Sequence, residues 1–122
     1  MENSYLVEKK EYIKDGKIST KGYGIVATSV MDDETVSNNA KTLYVYLVCK
    51  SGGTNCCYPS NKTIMKALKM SPVTLRKYKN ELLVKGLVRI EERKQKSGRL
   101  TSNSYFPTKI KQGQFSDEEN CD

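Results

Sequence analysis

Arg76, Lys77 and Asn80 set a guanidinium, an ammonium and a primary amide close together in the stretch SPVTLRKYKNELLVKGLVRIEERKQKSGRL, Ser71 to Leu100. Such groups donate hydrogen bonds and carry positive charge, so their chemistry is recognition of an acceptor-rich or anionic partner rather than bond making. Val73 and Thr74 add methyl groups just upstream. Two further polar sets flank them: Ser60, Asn61 and Lys62 before, and Lys94, Lys96, Ser97 and Arg99 after.

Covalent chemistry finds little support in the same sequence. There is no His anywhere, which removes the usual general base and with it a Ser–His or Cys–His hydrolase. No phosphate loop or paired-carboxylate arrangement stands on an ordered segment, and no enzymatic activity is expected. Cys49, Cys56, Cys57 and Cys121 form no Cys-x-x-Cys pair, and the adjacent Cys56 and Cys57 cannot easily reach one ion. Neither a metal nor another cofactor is expected, and the thiols are expected to stay reduced in a cytoplasmic setting. That setting is inferred from an N-terminus without the basic-then-apolar order of a secretory signal and from the lack of a long apolar run.

Charge is distributed unevenly along the 122 residues. Residues 1–59 carry seven basic and seven acidic side chains; residues 60–112 carry fourteen basic and three acidic ones, a net +11; residues 113–122 carry four acidic ones and no basic one. The whole excess lies around the donor-rich stretch, as it would for a polyanion-binding surface.

The elements that must position these groups follow from caps and periodicity. Ser37 is a good helix N-cap, and Ala40, Leu43, Tyr44, Leu47 and Val48 then recur at helical spacing until Gly52–Gly53. Ser60 opens a short second helix with Ile64, Ala67 and Leu68 as its apolar side. Ser71 caps a third, with Pro72 at its first position, where an N–H has no partner to lose. Leu75, Tyr78 and Leu82 mark the inward face of this third helix, with Leu83 beside it, and Gly86 stops it. Val73, Thr74, Arg76, Lys77 and Asn80 are thereby turned outward. From Leu87 the period becomes two, Ser97–Gly98 makes a turn, and Leu100–Phe106 returns with Tyr105 inward. Tyr23–Met31 reads as a lead-in strand or extended segment, and Asp15–Gly16 as the turn of a loose N-terminal hairpin. The division expected is an arm over 1–22, one α+β domain over 23–106, and a flexible acidic tail over 107–122.

Helix, short helix, three-residue turn, helix and basic hairpin is the order of a winged helix-turn-helix. YPSNKTIMKALKMSPVTLRKYKNELLVKGLVRIEERKQKSGRLTSNSYF resembles the winged helix-turn-helix domains of bacterial regulators and of plasmid and phage replication proteins. GYGIVATSVMDDETVSNNAKTLYVYL resembles the first-helix region of the same group. Lys69 departs from the pattern, because the turn there often holds Gly or Asn. Lys79 stands where an apolar residue is common, and Tyr78 is expected to fill that layer.

The resemblance implies that residues 71–85 form a recognition helix whose N-terminal end enters the major groove. Arg76 and Lys77 would then donate to guanine, Asn80 would pair with adenine, and Val73 or Thr74 would meet a thymine methyl. Ser60, Asn61 and Lys62 would position phosphate at the start of the second helix. Lys94, Lys96, Ser97 and Arg99 would form the basic tip of a wing over 87–106. The expected partner is double-stranded DNA, bound sequence-specifically by a homodimer, with no membrane association and with protein partners possible in a nucleoprotein complex. The expected role is transcription control, or replication or transfer of a mobile element as an accessory factor. The alternative is a protein-interaction winged helix without DNA recognition, which the net +11 of the middle segment opposes.

Overall fold

The computed structural model describes residues 11–18, 22–93 and 102–109. A small N-terminal hairpin pairs β1 (Ile13–Lys14) with β2 (Lys17–Ile18) around Asp15 and Gly16, both at positive φ. The helices are α1 (Thr28–Met31), α2 (Asn38–Ser51), α3 (Asn61–Leu68) and α4 (Pro72–Lys85). An antiparallel hairpin follows, β3 (Val88–Glu91) against β4 (Ser104–Pro107), in the register Val88↔Pro107 to Glu91↔Ser104. Cys57 pairs with Tyr105 as an isolated bridge: its N–H donates to the Tyr105 carbonyl at 2.9 Å, and its carbonyl accepts from the Tyr105 N–H at 2.7 Å. The architecture is α+β, a helix-turn-helix with a small antiparallel hairpin, consistent with a winged helix.

Local sequence explains the helix ends. Ser37, Ser60 and Ser71 each sit in extended conformation and accept a hydrogen bond from the backbone N–H three residues on. Gly86 closes α4 at φ 76, a left-handed position that a residue without Cβ takes at no steric cost. Lys69 closes α3 at φ 54 and ψ 53. A side chain there is strained by roughly 1 kcal/mol. Lys69→Gly is therefore expected to raise the unfolding free energy by about 1 kcal/mol in a denaturant titration. Unchanged or lowered stability would show the strain to be offset elsewhere.

The core lies between α2 and the other elements. Ala40, Leu43, Tyr44, Leu47 and Val48 from α2 meet Ile64, Leu75, Leu82, Val88, Cys57 and Tyr105, all buried. The expected α2 stripe is the observed one. On α3, Ala67 is exposed rather than buried, and Met65 packs against the core with Leu68 instead. Tyr23–Met31 is not a strand: residues 22–27 belong to neither helix nor strand, and Thr28–Met31 make a helical turn. That turn is held by the Lys41 ammonium, which donates to the Met31 carbonyl at 2.7 Å, and by Val30 packing on the core. Gly24 allows the leading segment to lie on α2, since a Cβ there would meet Val48 Cγ1 at 2.8 Å and the Cys49 backbone at 3.0 Å. Cys49 and Cys57 are free thiols, but Cys56 is disulfide-bonded, which corrects the expectation of reduced cysteines. Cys56 and Cys57 are both buried.

A cap supplied across space ties α4 to the start of α2. The Glu81 carboxylate accepts from the Ser37 N–H at 2.7 Å and from the Ser37 hydroxyl at 2.8 Å. The backbone bond from Ser37 and then its hydroxyl hold the Glu81 carboxyl below the usual carboxylate range. A lowered native pKa adds stability above the unfolded pKa and loses it as pH falls through the native one. Glu81→Gln should therefore cost about 1 kcal/mol near neutral pH. The gap between variant and wild type should close in acid, as read from melts across pH. A gap that persists in acid would assign the loss to packing instead.

Candidate nucleic-acid interface

Burial of Leu75 and Leu82, with Tyr78 half-buried, fixes the rotation of α4. Val73, Arg76, Lys77 and Asn80 then lie exposed on one outward stripe, as their i, i+3, i+4 and i+7 spacing requires. Val73 is 72 % exposed, which leaves its methyl groups open to an apolar contact. The Lys77 ammonium stands 5.4 Å from the centre of the Tyr78 ring. Thr74 is half-buried and turned toward the cap: its N–H donates to Ser71 Oγ at 3.2 Å and its hydroxyl oxygen accepts from Ser71 at 2.9 Å. Of the five α4 positions, four form an open surface and Thr74 stands at its edge.

The start of α3 is more committed internally. Ser60 Oγ accepts from the Thr63 N–H at 3.1 Å and lies 2.9 Å from Thr63 Oγ1. Asn61 Oδ1 accepts from the Lys79 ammonium at 2.5 Å and from the Tyr105 hydroxyl at 3.4 Å. Lys62 is exposed in the first turn. The structure thus brings Asn61 and Lys79 together, a contact between α3 and α4 whose only sequence signal was a lysine at an apolar position.

Lys79 itself fills the layer that the family pattern gives to an apolar residue. Its stem is half-buried, and its ammonium sits 5.1 Å from the centre of the Tyr105 ring. Burial pushes its pKa down, and burial pushes the Tyr105 phenol up to about 12. The Tyr105 phenol is therefore neutral through the physiological range. A cation over a ring face that also donates to an amide oxygen lets a lysine pack where leucine would otherwise be needed.

Lys94, Lys96, Ser97 and Arg99 lie outside the described residues. The same hairpin carries two stacked arginines that sequence reading missed, Arg89 within β3 and Arg93 two residues past its end. The Arg89 guanidinium lies 4.0 Å from the Phe106 ring centre and forms an ion pair with Glu91. The Arg93 guanidinium lies 4.2 Å from the Tyr58 ring centre. Alternation along β3 placed Arg89 outward, but no periodicity links Arg93 to an aromatic residue more than thirty positions earlier.

A family model described as a helix-turn-helix domain matches residues 35–88, from the turn before α2 to the first residue of β3. Residues 35–88 are a helix-turn-helix domain. Neither the curated proteins nor the solved structures include a match to the chain. In this helix-turn-helix, α3 is the first helix of the motif, Lys69–Ser71 the turn and α4 the second helix. Such a domain suggests DNA binding, and the outward stripe of α4 is the face that it would present. No helix among the described residues is long and apolar enough to cross a membrane.

Proposed function

We propose that the protein is a sequence-specific binder of double-stranded DNA without catalytic activity, and that it acts as a homodimer. The observation that carries this reading is the exposed stripe of Val73, Arg76, Lys77 and Asn80 on the second helix of the motif. Arg76 and Lys77 offer donors to guanine O6 and N7, Asn80 offers a bidentate match to adenine, and Val73 offers methyl groups to thymine. Lys62 contacts phosphate beside them, and Lys94, Lys96, Ser97 and Arg99 supply a basic wing tip to the flanking backbone. The net +11 of residues 60–112 favours a polyanion over a protein partner. A single domain of this kind covers one half-site, so a homodimer matches the affinity that specific sites demand. The role is transcription control, or accessory work in replication or transfer of a mobile element, in a cytoplasmic nucleoprotein complex. This part rests on the resemblance to bacterial regulators and replication proteins.

Selection from a random duplex library tests the reading. A recurring sequence should emerge as an inverted repeat, with half-sites about one helical turn, roughly 34 Å, apart or a multiple of it. An unselective pool would remove sequence specificity, and a single non-repeated site would remove the dimer.

A further inference from the structure

Two arginines of the hairpin, Arg89 in β3 and Arg93 just past its paired end, stack on aromatic rings, and among the described residues only Arg89 has a carboxylate partner. Arg89 lies on Phe106 and is paired with Glu91, so its charge is satisfied within the protein. Arg93 lies on Tyr58, and no carboxylate among the described residues pairs with it. Its neighbour Glu92 is exposed. Arg93 is nonetheless half-buried, although a charge taken from water without a counter-ion is unfavourable. Stacking on Tyr58 occupies the flat face of the guanidinium and leaves its N–H edges free.

Position gives that free edge a direction. Tyr58 stands two residues before Ser60, the cap of α3, so the stack joins the segment after β3 to the loop that opens the helix-turn-helix motif. Lys62 is exposed in the first turn of the same helix. We propose that Arg93, held on Tyr58, is a preorganised contact for a DNA phosphate, with Tyr58 as its positioning residue and Arg89 on Phe106 as a structural counterpart that does not touch DNA. The proposal rests on the DNA-binding reading above and adds a site to it. Guanidinium and phosphate match in bidentate geometry, and an arginine already fixed on a ring loses less freedom on forming it.

The test compares wild type with R93Q, R93K, Y58L and R89Q on fluorescent duplexes, one selected and one random, over a series of salt concentrations. R93Q should weaken both duplexes evenly, by about tenfold at low salt, and lower the slope of log K against log salt by about one. R93K should keep the slope but lose part of the affinity, because ammonium neither stacks as well nor pairs in two-point fashion. Y58L should show a smaller loss, and R93Q/Y58L should be no weaker than R93Q alone, since the ring acts through the arginine. R89Q should bind as wild type does. Should R93Q fail to fold, R93K against Y58L carries the comparison. Duplex binding by wild type with R93Q or R93K unchanged overturns this proposal alone; no duplex binding by wild type removes the DNA reading and the proposal with it.

Discussion

Arg76→Ala combined with Asn80→Ala is expected to lower affinity for a selected duplex by about a hundredfold or more, since each base-edge contact is worth about 1–3 kcal/mol. The two side chains are neighbours at i and i+4 on the exposed side of α4, so the double loss need not equal the sum of the single losses. Random duplex should be affected far less, because what is removed is discrimination rather than most of the positive field. Lys96→Ala and Arg99→Ala should behave differently: both duplexes should weaken evenly, with the salt slope reduced by about one per lost contact. Anisotropy titrations with both duplexes would separate the two patterns. If the wing variants lost discrimination and the helix variants lost only overall affinity, the wing would be the reader.

Tyr105→Ala should be the most damaging single change to stability, costing about 3–5 kcal/mol in urea or thermal unfolding. Tyr105 is among the largest fully buried side chains, and three elements converge on it. Its backbone pairs with Cys57 and with β3, its ring lies under the Lys79 ammonium, and its hydroxyl reaches Asn61. Removing the ring would leave a cavity beside a half-buried cation with one side uncovered. Tyr105→Phe is the control: the hydroxyl bond of 3.4 Å is long, so its loss should cost about 1 kcal/mol or less. A small effect of Tyr105→Ala would mean that the hairpin is not an integral part of the domain.

The features that were legible in the sequence are those whose causes are local. Ser37, Ser60, Ser71 and Gly86 declare the helix ends because capping is settled within a turn of chain. The stripes of α2 and α4 declare their buried faces, and with them the outward set Val73, Arg76, Lys77 and Asn80. Even the strained backbone of Lys69 follows from the spacing of the two caps around it. What escaped detection depends on pairs distant in sequence. Glu81 completes the Ser37 cap from forty-four residues away, and Lys79 finds Asn61 eighteen residues back. Neither pattern nor propensity encodes such partners. Thr28–Met31 differs from its expected form for a related reason: its β-branched residues favour a strand, but among the described residues it pairs with none, and Lys41 holds a helical turn instead.

Recognition of duplex DNA by the positive face of this helix-turn-helix domain is tested most directly by the affinity of the wild-type chain for a duplex, its separated single strands and the same sequence as RNA, each over a range of salt. Binding should be tightest to duplex DNA, with log K falling linearly against log salt at a slope set by several phosphate contacts, about 0.9 for each. Equal or tighter binding to single strands or RNA, or no salt-dependent binding to any of them, would contradict it.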